Sequence, residues 1–273
     1  MYVIFHIINI RVSAVPLYFS LLSKSLYSPA LALILFFCEE GKTMRTIIVG
    51  DIHGCLLELE ELLSSVKLNV KVDRLVLLGD LIDRGPNSAG VYLYVKTLQK
   101  FMQDRIVVIR GNHEDMFLSC YKNYTSHWYH MWGMETLESF ERRNISPDVF
   151  ASWIQNCTVL YYEDSLFQCA HGGLFYEELA RNEKELLVWD RNAISTNTYD
   201  GKLTIIGHTP LDQASYGDGS MRPLEKLAYN RWYDLPKTGL IDIDTGCVAE
   251  DFLTAMIIDE NRYKLVRQYP VYD

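Results

Sequence analysis

Gly50-Asp51-Ile52-His53-Gly54, Gly79-Asp80-Leu81-Ile82-Asp83-Arg84-Gly85 and Gly111-Asn112-His113-Glu114 are three polar motifs that each follow an apolar run. The runs are Thr46–Val49, Leu75–Leu78 and Ile106–Ile109, short and rich in β-branched residues and leucine, as strands are. In open α/β sheets ligands bind beyond the carboxyl ends of the strands. Three successive strand ends would therefore carry Asp51, His53, Asp80, Asn112 and His113 to one rim, a donor set suited to metal ions.

Working outward, Leu56, Leu59, Leu62, Leu63 and Val66 recur at helical spacing, with Glu58, Glu60 and Glu61 on the other side. This predicts a helix over 55–66 that returns to a strand at 74–78. Val91, Val95, Leu98 and Met102 repeat the pattern over 87–102, ahead of a strand at 105–109. Strand, helix, strand, helix, strand implies parallel βαβ units with right-handed crossovers.

Residues 114–155 change character. They hold Tyr121, Tyr124, Trp128, Tyr129, Trp132, Phe140 and Trp153, and read as a helical insertion with Ser146-Pro147 as N-cap and first-turn proline. Aromatics at this density are expected to fill the core of that insertion. Strand-like segments then recur at 157–162, 165–170, 203–207, 240–244, 252–258 and 262–268. The expected architecture is α/β, with a second sheet packed on the first and helices outside. Residues 211–238 read as a long polar connection, of the length that usually carries function or lacks order.

Two of the later strands also end in histidine, in Ala170-His171-Gly172-Gly173 and Gly207-His208-Thr209-Pro210. The set becomes Asp51, His53, Asp80, Asn112, His171 and His208. Mixed carboxylate, imidazole and amide donors suit Mn, Fe or Zn rather than a thiolate site. Asp80 is the best placed to bridge two ions at the roughly 3.5–4 Å spacing of two-metal hydrolases. Taken singly, each residue has an ordinary structural role: an Asp in a turn, an Asn capping a helix, a histidine satisfied in the core. Their joint placement at successive strand ends separates the metal reading from those roles. His6, His127, His130 and Asp244 lack that support, and Asp244 reads as structural.

Composition bounds the partners. A net charge of −9 with a pI near 5.3 argues against nucleic acid as a partner but leaves a nucleotide or phosphopeptide substrate open, because a local metal site can reverse the field. The six cysteines contain no Cys-x-x-Cys pair, which excludes a zinc knuckle and fits buried thiols in a reducing, cytoplasmic setting. Cys55, just past the first motif, could sense oxidation, but a free cysteine is more often simply buried. Residues 1–43 form a hydrophobic extension broken by Pro16 and Pro29, too short in its apolar run to span a bilayer. It gives no firm membrane partner and reads as an over-extended start or a loose membrane-contacting tail, which leaves membrane association open, and the catalytic domain is expected over 44–273.

The ordered motifs, together with Ile243-Asp244-Thr245-Gly246-Cys247, resemble those of the calcineurin-like metallophosphoesterases over roughly residues 45–260. Within these, the pattern is similar to the bacterial and phage branch of the phosphoprotein phosphatases. The resemblance implies an αββα sandwich of two mixed sheets flanked by helices, and a cofactor of two divalent ions, Mn²⁺ first, with Fe or Zn as alternatives. It implies that Asp51, His53 and Asp80 hold one ion, and Asp80, Asn112, His171 and His208 the other. Arg84, Arg110 and Arg191 would bind phosphate oxygens. His113 would be the general acid, and Asp83 the carboxylate that orients it.

The expected partner is a phosphoprotein or phosphopeptide, with phosphoserine and phosphothreonine as the ester. The alternative is a symmetrical dinucleoside tetraphosphatase, which cleaves an anhydride. That subfamily carries alanine at the position of Asp83 and ends its third motif in Asp, so Asp83 and Glu114 favour the protein substrate here. A non-catalytic binding module would have lost a ligand or His113, and none is missing. Two departures from the pattern are the length of 211–238 and the absence of a Gly-rich turn at 248–251.

Overall fold

The computed structural model describes residues 43–249 and 251–271. The extension expected over 1–43 thus lies, up to residue 42, outside the described residues. Two six-stranded mixed sheets form the frame. In the first, β1 (Thr46–Val49), β2 (Arg74–Leu77) and β3 (Ile106–Val108) run parallel. Helices α1 (Leu56–Ser65) and α2 (Ser88–Met102) connect them, within a residue of the spans that the periodicity predicts. Asn87 caps α2 by accepting the Gly90 N–H at 3.0 Å.

The insertion folds as α3 (Asn112–Cys120), a π-turn at Tyr129–Gly133, α4 (Met134–Arg142) and α5 (Pro147–Cys157). Phe117, Phe140, Phe150 and Trp153 pack with Tyr92 of α2 in one aromatic core, as expected.

The second sheet is built around β5 (Gln168–Ala170), β6 (Thr204–Ile206) and β10 (Leu240–Asp242), again parallel, with β4 (Tyr161–Glu163) at one edge. The strand expected from 157 starts only at Tyr161, because α5 runs through Cys157 and Val159 makes a lone parallel bridge to Ile109. Residues 211–238 are no structureless connection. They supply β7 (Ser215–Gly217) and β8 (Glu225–Lys226) to the second sheet and β9 (Trp232–Asp234) to the edge of the first. In the first sheet β11 (Leu253–Asp259) pairs antiparallel with β1, and β12 (Arg262–Gln268) antiparallel with β11. Strand β11 shows no two-residue alternation because it is buried on both faces, whereas β12 alternates.

Side-chain parity explains the layering. Ile47 and Val49 of β1 point to the helices, packing in one core with Leu59, Leu62 and Val95. Ile48, between them, points the other way, into a second core shared with Val76, Ile205, Ile241 and Met256. That second core is the seam between the sheets. A third core under Leu187 and Ile194 covers the outer face of the second sheet. The expected sandwich of two mixed sheets flanked by helices is therefore what forms. The carboxyl ends of β1, β2, β3, β5 and β6 all open on one rim. Among the described residues no helix is long and apolar enough to cross a membrane.

Candidate metal centre

The rim is held by backbone bonds between the motifs. The amides of Ile52 and His53 both donate to the Asp80 carbonyl, at 3.1 and 2.7 Å. Glu114 then ties the third motif to the second, its carboxylate accepting the N–H groups of Asp80, Leu81 and Gly111 at 2.8–2.9 Å. The chain is sharply folded at these points. His53, Asp80, Asp83, Arg84 and His208 all adopt positive φ, between 46° and 69°. Non-glycine residues rarely hold this conformation, and such backbone collects where a site's geometry is over-determined.

Three imidazoles are each fixed through one ring nitrogen to a carbonyl. His53 Nδ1 lies 2.9 Å from the Ile82 oxygen, and His171 Nδ1 2.9 Å from the Leu78 oxygen. His208 Nε2 lies 3.2 Å from the Trp189 oxygen. Carbonyls only accept, so these nitrogens carry the protons, an arrangement found at histidines that ligate metals. Burial holds the His53 and His208 rings far below the usual imidazole range, at about 3, and lowers His171 too, so the rings are neutral.

The free nitrogens then converge with acceptors. His171 Nε2 and His208 Nδ1 lie 3.0 and 2.9 Å from one oxygen, Asn112 Oδ1, and His171 Nε2 is 3.4 Å from Asp80 Oδ1. Lone pairs facing lone pairs repel unless a cation stands among them, so this donor set fits a metal ion. Ligand atoms of Asp80, His171 and His208 form one group that could hold an ion, and those of His53, Asp80 and His113 form another. Asp80 belongs to both.

The carboxylates support the same fit. Burial, then the charges of Asp244 and Asp80, push the Asp51 carboxyl well above its usual range. Burial and Asp80 raise Asp244 to about 6, and burial with Asp244 raises Asp242 strongly. Asp242 Oδ2 has no hydrogen-bond partner among the described residues. Uncompensated buried carboxylates of this density call for positive charge. Asp242 was not legible as part of the site, and Asp244 lies nearer to it than its structural reading implied. Asp242 ends β10 and Asp244 follows it, and their apolar neighbours Ile241 and Ile243 mark only a strand.

Asp51 stands in neither group of converging ligand atoms. Its carboxylate accepts the His208 backbone N–H, at 3.2 and 3.3 Å, and so joins the first strand end to the sixth. Arg84 and Arg191 reach the cluster. Arg84 Nη1 donates to His53 Nε2 at 3.0 Å, and Arg191 Nη1 to the His208 carbonyl at 2.6 Å. Arg110 is turned elsewhere, its described bonds going to Thr158 Oγ1 and the Ile154 carbonyl.

His113 and Asp83 form a buried pair, Nδ1 to Oδ2, at 2.7 Å. Burial opposes charging of the ring, but Asp80 and the bond to Asp83 outweigh it and raise its pKa. Its Nε2 has no hydrogen-bond partner among the described residues, and lies 3.9 Å from Asp80 Oδ2. The insertion, whose aromatics were expected chiefly to fill its core, also anchors this pair. Trp128 Nε1 donates to Asp83 Oδ2 at 2.7 Å and Thr136 Oγ1 to Asp83 Oδ1 at 2.6 Å. Trp132 lies edge-on to His113 and beneath the Arg84 guanidinium. His127 and His130 are exposed. Below the first motif the Cys55 and Cys247 thiols touch. That contact and burial push the Cys247 thiol up, away from the reactive thiolate.

Residues 44–235 match the family described as calcineurin-like phosphoesterase. The symmetrical bis(5'-nucleosyl)-tetraphosphatase of Pseudomonas entomophila (strain L48) is 25% identical over 278 residues, covering 81% of this chain and 93% of that protein. Its namesake from Pseudomonas fluorescens is 27% identical, covering 79% and 90%. A solved metallophosphoesterase from Sphaerobacter thermophilus shares the fold, with a TM-score of 0.60 at 17% identity, over 83% of this chain and 89% of that one.

These relatives overturn the expectation of a phosphoprotein or phosphopeptide partner, since they are named for a small nucleotide substrate. One sequence signal behind that expectation also loses its force. Glu114 spends its carboxylate on three backbone amides, so its identity reports how the loops are held and says nothing of the leaving group. The motifs, the sandwich and the matched span agree: this chain is a metallophosphoesterase, a hydrolase of the calcineurin-like phosphoesterase family.

Proposed function

We propose that this chain hydrolyses symmetrical dinucleoside tetraphosphates, splitting an internal phosphoanhydride into two nucleoside diphosphates. The observation that carries the reading is the full-length similarity to enzymes of that name, which spans about four fifths of this chain and nine tenths of theirs. The site's chemistry agrees with it. Asp51, His53 and Asp80 would hold one divalent ion, and Asp80, Asn112, His171 and His208 a second. Mn²⁺ matches their mixed oxygen and nitrogen donors. When bound, such ions acidify water and offset phosphate charge.

The chain's own groups do the rest. Arg84 and Arg191 flank the clusters and bind phosphate oxygens, where their forks counter the charge that spreads in the transition state. Arg110 would join them only by leaving Thr158. His113, whose Nδ1 proton is held by Asp83, is favoured in its charged form, and the second proton, on Nε2, is the one it can give to the departing phosphate oxygen.

The test is turnover with Mn²⁺ on diadenosine tetraphosphate and, in parallel, on a phosphothreonine peptide. Efficient release of ADP with little phosphate from the peptide is the expected result. Peptide turnover without dinucleotide cleavage would overturn the proposal.

A further inference from the structure

Against the outer face of the second sheet lies a cavity of about 610 Å³, within the roughly 300–1,000 Å³ range of small-molecule sites. Phe175, Asp190, Asn192, Tyr199 and Asp200 are among its lining residues. Two segments of the metal rim build its walls. One leaves His171 and runs through Gly172 and Gly173 to Phe175. The other follows Trp189, whose carbonyl holds His208, and passes through Asp190 to Arg191, which donates to the His208 carbonyl. The segments are locked together, since the amides of Gly172 and Gly173 donate to the Leu187 and Leu186 carbonyls.

Phe175 stands out because a large apolar residue is left 74% exposed on a hydrogen-bonded backbone. Buried Asn182 accepts the N–H groups of both Phe175 and Tyr176, at 2.8 and 2.9 Å. It also donates to the carbonyls of Tyr176 and Glu178. A large exposed aromatic ring on a backbone held in this way, with Tyr176 and Trp189 each 41% exposed, offers a stacking platform at the cavity. Charge sets the orientation of what would stack there. Among the described residues the lining holds Glu177, Asp190 and Asp200 and no cation, so it repels phosphate and suits a ligand with N–H donors. Arg191, at the rim, marks the phosphate side.

We infer that this cavity takes a purine base at one end of the substrate, stacked on Phe175 with its exocyclic amino group toward the acidic lining. The inference rests on the proposed nucleotide substrate and adds where its base is read.

Binding to the full Mn²⁺-loaded chain, measured by calorimetry, tests it with AMP and ribose 5-phosphate, which differ by the base alone. The expected result is that AMP binds about tenfold more tightly, within the range that base–aromatic stacking supplies. That preference should vanish in Phe175→Ala and persist in Phe175→Trp. Equal or undetectable binding of the two ligands up to millimolar concentrations would overturn the inference, as would an AMP preference that survives in Phe175→Ala. A Phe175-dependent preference in a protein that fails to cleave diadenosine tetraphosphate would keep the cavity assignment and reject the proposed reaction.

Discussion

Asp83 receives three donors at once, from His113 Nδ1, Trp128 Nε1 and Thr136 Oγ1, so the carboxylate that orients His113 is itself immobilised by the insertion. His113 Nε2 meanwhile stands among potential ligand atoms with His53 and Asp80. Substitution separates its two possible roles. His113→Asn should lower kcat by about 10²–10⁴-fold, the usual worth of a positioned acid, and keep its metal. Asp80→Asn should lose metal as well as turnover, since Asp80 serves both clusters. Metal content by inductively coupled plasma spectrometry decides, and equal loss in both variants would make His113 a ligand.

Removing one donor from a buried carboxylate leaves charge unpaired. Trp128→Phe and Thr136→Val should each cost about 2 kcal/mol of stability, seen as a fall of about 4–8 °C in Tm. Both should lower kcat less than Asp83→Asn does, because two donors still hold the carboxylate. Melting temperatures and turnover measured together check this, and a Tm unchanged within error would show that Asp83 needs neither.

The buried carboxylates also set how metal stabilisation varies with pH. Burial and like charge raise Asp51 well above the usual carboxylate value, Asp244 to about 6 and Glu114 to about 7. A raised folded-state pKa means the native state holds extra protons, so in metal-free protein the stability from these groups is complete below about pH 4. For Asp244 and Glu114 it is lost as pH rises through about 6 to 7, and for Asp51 it is likewise lost above the usual carboxylate range, as the carboxylates ionise beside each other. A divalent ion removes that repulsion. The Tm difference between Mn²⁺-loaded and chelator-treated protein should therefore be larger at about pH 7.5 than at about pH 5. The opposite order would show that protons, not metal, are what the cluster lacks.

Gly207 precedes His208, and a Cβ there would run into Asp51 Oδ1. Gly207→Ala should displace that carboxylate, at about 1–3 kcal/mol for an overpacked site. The expected outcome is weaker metal binding in titrations with near-native far-UV circular dichroism. Native affinity would mean that Asp51 can move without consequence.

The parallel half of the fold was legible because each apolar run there is closed by a polar motif and followed by a 3.6-residue pattern. The clusters of Asp80, His53, His171 and His208 were legible for the same reason, since strand ends place them without reference to distant packing. Other features depend on contacts that local sequence does not encode. Trp128 and Thr136 reach Asp83 from 45 and 53 residues away, and nothing around them separates them from core residues. The strands within 211–238 are two or three residues long and partly exposed, too short for any alternation to register. Arg110 reads as a phosphate ligand by position, yet Thr158 offers it a competing partner that only the fold reveals.

The bond from the His208 amide to the Asp51 carboxylate joins positions 157 residues apart. A nascent chain emerging from the ribosome therefore displays Asp51, His53, Asp80 and Asn112 long before it can close the ring around them. During that interval the first three strand ends carry a negative rim with only part of its ligands, able to hold an ion loosely if at all. Firm loading must await synthesis and docking of the second sheet. Metal capture thus reports completion of the whole sandwich, and a chain truncated before His208 would be unable to mature.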